Sequence, residues 1–218
     1  MPAINDLLAV MAKLRSPEGC PWDREQNHMT LRFHAVEEVY ELMDAIEAGD
    51  DHEMVEELGD LLLQVVFHCQ LGRERGAFDF EAAARHITDK LIRRHPHVFG
   101  NTRVKDVDEV WANWEKIKHA EKHGTRQARP SALDGIPKHL PALLRAEKLV
   151  RKARKAKLVS DPARTKKISR ANLAQKLFSL AEVAQANGWS AEALLRDEIR
   201  KRERNLRRAE IAKARVTR

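Results

Sequence analysis

Four carboxylates on two successive predicted helices could hold a metal ion. Glu38 and Glu41 are three residues apart in the sequence EEVYE, and Glu57 and Asp60 are three apart in ELGD. On an α-helix, residues three or four apart lie on one face. Each pair therefore forms a carboxylate group beside an apolar helical stripe, and Glu37 adds a further charge to the first.

The connection between these two helices is short enough to bring the two pairs together. Thr30 could cap the first helix, Gly49 could end it, and the second would begin at about Asp51 and end before Gly76. So short a connection predicts antiparallel neighbours. Apolar residues recur at helical spacing and should face a core, namely Val36, Val39, Tyr40, Met43 and Ile46, then Leu58, Leu61, Leu62, Val65 and Cys69.

Carboxylates gathered at one point raise one another's pKa and destabilise a fold unless a positive charge sits between them. Mg²⁺ or Mn²⁺ suits this ligand set, because hard divalent cations accept oxygen ligands and leave positions for phosphate. Zinc is disfavoured, since no His or Cys stands at ligand spacing with these acids. The alternative is a solvated acidic face paired with lysine and arginine.

Gly59 lies inside ELGD, where a helical glycine costs about 1 kcal/mol relative to alanine. Such a glycine commonly marks close packing, which would support a site. Simple crowding between helices is the structural explanation, and the two can hold together. We therefore expect another segment to lie close to Gly59.

The rest of the chain is also helical in pattern, since β-branched and aromatic residues are sparse and no alternating run is followed by a hairpin turn. The sequence predicts an all-α fold. Further helices are expected from about Ile4 to Arg15, between Asp79 and Pro96, in DVDEVWANWEKIKHAEKHG, and over about 168–186 and 191–214.

The composition bounds the class of protein. With 218 residues, 43% of them apolar, the chain can build a real core. Two cysteines in dissimilar contexts give neither a disulfide framework nor a thiolate metal site, and no apolar run is long enough to span a bilayer. We expect a cytoplasmic protein without membrane partners.

The ordered set of motifs resembles the MazG family of nucleoside triphosphate pyrophosphohydrolases. EExxE is followed after 15 residues by ExxD, with GCPWDREQ before them and FDFEAAARHITDKLIRRHPHVFG, WEKIK and SALDGIPKHLPALLRAEK after them. The resemblance runs from about Ile4 to Leu144. It implies an all-α helical bundle completed by dimerisation, as a homodimer or higher oligomer. It also implies Mg²⁺-dependent cleavage of an NTP or dNTP to the monophosphate and pyrophosphate, with housecleaning of nucleotide pools as one role.

The resemblance also implies roles for individual residues. Glu38, Glu41, Glu57 and Asp60 would be the metal ligands, and Glu37 would orient a ligand or a water. The residues that would contact the substrate are Lys90, Arg93, Arg94, Trp114 and Lys118. An exposed basic helix face and a core tryptophan are the corresponding structural explanations.

The charge is divided unevenly along the chain. Residues 1–100 hold 10 Lys and Arg against 19 Asp and Glu, and the remainder holds 30 against 14. We predict a catalytic domain over 1–125, a connecting region over 126–144, and a basic helical second repeat over 145–218. In that repeat Asn172 and Gln175 stand where Glu57 and Asp60 stand in the first, so the acidic site would be lost.

Two functions from different classes are compatible with these patterns. One is the pyrophosphohydrolase. The other is a catalytically weak, nucleotide-binding regulatory protein that uses its basic region for a partner. That region could contact nucleic acid, complement the acidic half of another subunit, or form a solvated surface; aromatic residues interleaved with the basic ones, which would favour nucleic acid, are lacking.

Overall fold

The computed structural model describes residues 2–121, 124–125, 128, 130–159 and 168–216. Within them every regular element is a helix, which confirms the all-α prediction. None of these helices is both long and apolar enough to cross a membrane. The helices are α1 (Ala3–Leu14), α2 (Pro21–Glu25), α3 (His34–Ala48), α4 (Asp51–Glu74), α5 (Phe80–Arg94), α6 (Pro96–Phe99), α7 (Val107–Ala120), α8 (Ala142–Lys155), α9 (Arg170–Ala186) and α10 (Ala191–Val216).

The chain forms two compact units, residues 1–114 and 115–218, and the boundary falls within α7. The core of the first unit joins Met11 of α1 to Val66, Phe67 and Leu71 of α4, with Leu31 beside them. Arg15 fixes the end of α1 to α4, because its Nε and Nη2 each donate to a carboxylate oxygen of Glu74 at 2.6 Å. The helix predicted from about Ile4 to Arg15 is confirmed as α1.

The α3–α4 hairpin forms as the short connection predicts. Gly49 adopts a left-handed conformation (φ 69°) that ends α3, as expected for a C-terminal glycine. Asp50 caps α4, since its side chain accepts from the amides of His52 at 2.9 Å and Glu53 at 3.2 Å. The prediction that Thr30 caps α3 is wrong, because the helix begins at His34 without a side-chain cap.

Asn27 explains why α3 starts later than predicted. Its Oδ1 accepts from the amides of Met29 at 2.9 Å and Thr30 at 3.2 Å, and the Thr30 hydroxyl accepts from the Asn27 amide at 3.0 Å. These local bonds hold residues 27–30 in a turn and use the Thr30 oxygen that would otherwise have capped the helix.

Most of the apolar stripe predicted to face a core is exposed in the single chain. Cys69 is buried, but the prediction is wrong for eight residues whose exposure runs from 39% to 56%, namely Val36, Val39, Tyr40, Met43, Ile46, Leu58, Leu62 and Val65. The physical reason is that α1 covers only the C-terminal half of α4, around Val66 and Phe67. The predicted helical spacing of these residues is confirmed. None of the described residues of the same unit covers the face that they form.

The second unit is built on α8 packed against α10. Ala142, Leu149 and Ala153 of α8 and Ile199 of α10 form its core together with Leu133. The charge-rich segment that begins near residue 145 thus forms most of α8. The many lysines and arginines of this segment obscure its apolar pattern in the sequence. Its apolar residues still recur at helical spacing, and that was the available signal. The predicted helices near 168–186 and 191–214 are confirmed as α9 and α10.

Candidate metal centre

Three of the four predicted metal ligands meet across the α3–α4 hairpin. Glu38 and Glu41 lie on α3 and Glu57 lies on α4, and each offers a carboxylate oxygen within 4.8 Å of those of the other two. The spacing of three residues places the first two on one face of α3. The antiparallel hairpin then sets Glu57 opposite them.

This cluster carries uncompensated negative charge. Burial, the charge of Asp60 and the charge of Glu41 raise the pKa of Glu38. Partial burial and the charges of Glu41 and Asp60 likewise raise the pKa of Glu57. Within the described part of the chain, no lysine or arginine forms an ion pair with any of the four carboxylates. Ion pairing among the described residues therefore does not neutralise the cluster.

Glu57 supplies an observation that points to a cation. Its Oε2 is shielded from solvent and has no hydrogen-bond partner among the described residues. A shielded carboxylate oxygen without a donor is costly, and such oxygens normally meet a donor, a water or an ion. The residues present therefore fit a hard divalent cation, since they offer only oxygen ligands and three negative charges.

Asp60 and Glu37 are not part of the cluster that Glu38, Glu41 and Glu57 form. Asp60 lies one turn after Glu57 on α4 and acts on the pKa of both Glu38 and Glu57. Glu37 is exposed, and its carboxylate lies 3.7 Å from Nδ1 of His34. Their roles in the site stay predictions.

Gln64 belongs to the site but was missed in the sequence. It is buried on α4, and its Nε2 donates to Oε1 of Glu38 at 3.4 Å. This contact lowers the pKa of Glu38, against the effect of the carboxylates. The signal was available, because Gln64 follows Glu57 and Asp60 at spacings of seven and four on one helical face.

The predicted substrate-binding residues occupy α5 and α7. Lys90 and Arg93 lie on α5, and Arg94 at its end is buried with its guanidinium 5.6 Å from the centre of the Trp114 ring. Lys118 lies one turn after Trp114 and pairs with Glu115 at 3.5 Å. The structure thus brings Arg94 and Trp114 together. Substrate contact by all five stays a prediction.

Comparisons with known proteins show which family the chain resembles. A family model for the MazG nucleotide pyrophosphohydrolase domain matches residues 26–99, which contain all four carboxylates. The nucleoside triphosphate pyrophosphohydrolase of Escherichia coli K12 is 49% identical over 150 residues, covering 68% of this chain and 56% of that protein. The nucleoside triphosphate pyrophosphohydrolase/pyrophosphatase MazG of Thermotoga maritima is 47% identical over 145 residues, covering 66% of this chain and 54% of that protein.

A third relative is similar over more of the chain. An uncharacterized 26.1 kDa protein of Streptomyces cacaoi is 39% identical over 193 residues, which cover 88% of this chain and 76% of that protein. By contrast, the chain spans only a little over half the length of the two named pyrophosphohydrolases.

Proposed function

Because this chain belongs to the MazG family, we propose that it hydrolyses nucleoside triphosphates to the monophosphate and pyrophosphate with a divalent cation held on the α3–α4 hairpin. The observation that carries the proposal is the cluster of Glu38, Glu41 and Glu57, which no lysine or arginine of the described residues neutralises. Two curated relatives, similar to about two thirds of this chain, are named nucleoside triphosphate pyrophosphohydrolase and nucleoside triphosphate pyrophosphohydrolase/pyrophosphatase MazG.

We propose Mg²⁺ as the cation, with Mn²⁺ as a substitute, and Asp60 as a fourth ligand. An oxygen-only site with several carboxylates favours these ions over zinc. A bound cation would supply positive charge to the phosphate oxygens during cleavage. Gln64 would hold the Glu38 carboxylate in place through its 3.4 Å hydrogen bond.

The remaining residues have proposed roles in binding the substrate and orienting water. Glu37, exposed at the edge of the cluster, would orient a ligand or an attacking water. Hydrolysis adds the elements of water across the anhydride between the α- and β-phosphoryl groups, and pyrophosphate leaves. Lys90, Arg93, Arg94, Trp114 and Lys118 would contact the triphosphate or the base, since α5 and α7 present cations and an aromatic ring.

A second copy of the chain is the proposed cover for the exposed apolar face of the hairpin. The eight exposed apolar residues, from Val36 on α3 to Val65 on α4, lie on the two helices that carry the carboxylates. A helical face this apolar normally packs against another element. The family resemblance implies dimerisation. We therefore propose a homodimer, or a higher oligomer, assembled through this face.

Pyrophosphate release from a panel of NTPs and dNTPs tests the activity. We expect turnover with Mg²⁺ and none with EDTA. Glu41→Gln should lower kcat/KM by about 100-fold or more, since even outer-shell partners of metal ligands cost roughly 10- to 100-fold. Glu47→Gln is the matched control, because it removes one exposed carboxylate from the same helix outside the cluster.

Metal binding can be measured without turnover. Mg²⁺ should raise the urea midpoint of the wild type, because cation binding relieves repulsion among the carboxylates, and it should leave Glu41→Gln nearly unchanged. An inactive wild type, or a Glu41→Gln variant as active as the Glu47→Gln control, would contradict the proposed function. Nucleotide binding without pyrophosphate release would favour the regulatory alternative.

A further inference from the structure

A cavity of about 560 Å³ in the second unit is lined mainly by cationic side chains. Its lining contains five arginines, one lysine and one histidine against a single glutamate. The arginines come from α8 and α10, and the lysine and histidine come from the segment just before α8. Three parts of the unit thus converge on one concave surface whose volume is typical of a small-molecule site.

The base of this cavity is preorganised by Glu203. Its two carboxylate oxygens accept from Nη2 of Arg145 and from Nη2 of Arg207, each at 2.8 Å. Nη1 of Arg207 also donates to Asp134 at 2.8 Å. Arg145 is buried, so one glutamate holds two guanidinium groups in fixed positions at the inner wall.

The other cations of the lining fall into two groups, those paired with a carboxylate and those that are not. Arg196 pairs with Glu192, and Arg200 pairs with Asp197. No carboxylate among the residues with described side chains pairs with Lys138 or Arg204, and both side chains line the cavity. The carboxylates therefore leave an excess of positive charge directed at its opening.

We propose that this cavity binds a compact polyphosphate, with Lys138 and Arg204 contacting phosphate oxygens directly. Arginine forks held in place by Glu203 would donate further bonds, and a ligand with several phosphoryl groups has enough oxygens to use them. A purely solvated, ion-paired helix face would explain the paired arginines. It does not explain why the unpaired Lys138 and Arg204 meet at the same concave surface.

The shape favours a compact ligand over a nucleic-acid backbone. A nucleic acid is bound along an extended basic stripe, and these cations instead surround one cavity. The inference does not depend on the proposed hydrolysis, because all the residues it uses belong to the second unit.

Calorimetric titration of the full chain with inorganic tripolyphosphate tests the proposal. The titration is run in EDTA, so that the carboxylate cluster has no cation with which to attract phosphate. We expect saturable binding to the wild type and equal binding to Glu41→Gln. Lys138→Gln and Arg204→Gln should each weaken binding by about tenfold, the usual effect of losing one charge-assisted contact.

Arg208→Gln is the control, since it removes the same charge from α10 at an exposed position outside the cavity. It should change the affinity by less than about twofold. Equal weakening by Arg208→Gln and Arg204→Gln would overturn the proposal in favour of diffuse electrostatics. Absence of tripolyphosphate binding would overturn it as well, and so would tight binding of single-stranded DNA without tripolyphosphate binding.

Discussion

At Glu38 and Glu57, function and stability act in opposite directions. Burial and neighbouring carboxylates raise both pKa values, so the unfolded chain loses these protons at a lower pH than the folded chain does. As the pH rises above 4.5, the usual value, this difference favours the unfolded state. A cluster that costs stability at neutral pH is better explained by cation binding than by folding.

A histidine pair in the same unit has a different electrostatic character. Nδ1 of His28 lies 2.8 Å from Nδ1 of His68, and the two rings are nearly parallel, with their centres 5.0 Å apart. Arg75 can only donate, so its 3.0 Å contact makes Nε2 of His28 an acceptor and puts the His28 proton on Nδ1. Nδ1 of His68 then accepts that proton's hydrogen bond.

This arrangement predicts a loss of stability on mild acidification. Burial and the proximity of His28 lower the pKa of His68 below its usual 6.5. Below pH 6.5 the unfolded chain therefore binds a proton at His68 that the folded chain does not bind, and the free energy of unfolding falls until the pH reaches the lowered folded pKa. Urea midpoints at pH 7.5 and 5.5 measure the effect.

His68→Gln should reduce this pH dependence, because glutamine accepts a hydrogen bond without titrating. His86→Gln, at an exposed position on α5, is the control and should retain the wild-type slope. Glu38 and Glu57 are present in every variant. Their opposite contribution to the pH dependence of the free energy of unfolding therefore cancels when the variants are compared. The interpretation fails if His68→Gln and the wild type lose the same stability between the two pH values.

At the scale of the helix, α4 passes through two environments. Its N-terminal half carries Glu57, Asp60 and exposed apolar residues, and its C-terminal half is buried against α1. Its two glycines reflect this division. A Cβ at Gly72 would lie 2.6 Å from the carbonyl oxygen of Phe78, while a Cβ at Gly59 would meet no atom of the described residues within 4 Å.

The prediction that another segment packs closely at Gly59 is therefore wrong for the single chain. Gly59→Ala should stabilise the first unit by about 1 kcal/mol, because alanine is the better helix former and the space is open. Gly72→Ala should destabilise it by about 1–3 kcal/mol through overpacking against Phe78. Denaturant unfolding of both variants measures the contrast.

A destabilised Gly59→Ala variant would contradict this expectation. It would indicate that a neighbour outside the described chain packs against Gly59. The Gly72→Ala variant provides the reference, because it measures how much a steric conflict on the same helix lowers the free energy of unfolding.

At the scale of the whole molecule, the exposed face of the hairpin is the feature that a single chain leaves unsatisfied. Leaving eight apolar side chains of α3 and α4 in water forgoes the free energy that their burial would provide. A second copy could cover this face on the same helices that carry the cation site. Assembly and the integrity of the site would then depend on each other.

Met43→Lys should weaken assembly, because it places an ammonium group in an apolar interface. We expect light scattering to show a dimer or larger for the wild type and a monomer for Met43→Lys at the same micromolar concentration. Val10→Lys, at an exposed position on α1, is the control and should keep the wild-type mass. A monomeric wild type would contradict the proposed assembly.

The sequence predicted the parts of the molecule that depend on local spacing. The helices around Glu38, Glu57 and Met11 follow from apolar periodicity, and Gly49 with Asp50 specifies the hairpin that brings the carboxylates together. The MazG resemblance then rested on motifs within about 140 residues. The proposed domain limits remain predictions, and so does the second repeat in which Asn172 and Gln175 replace acidic residues.

Only the tertiary structure decided which surfaces are covered. Periodicity places Val36 and Leu62 each on the apolar face of its own helix. Burial depends on a distant segment reaching that face, and among the described residues none does. The pairing of His28 with His68 and the convergence of Arg145 and Arg204 on one cavity likewise join residues 40 and 59 positions apart. Local spacing carries no information about such long-range contacts, because the packing of whole helices determines them.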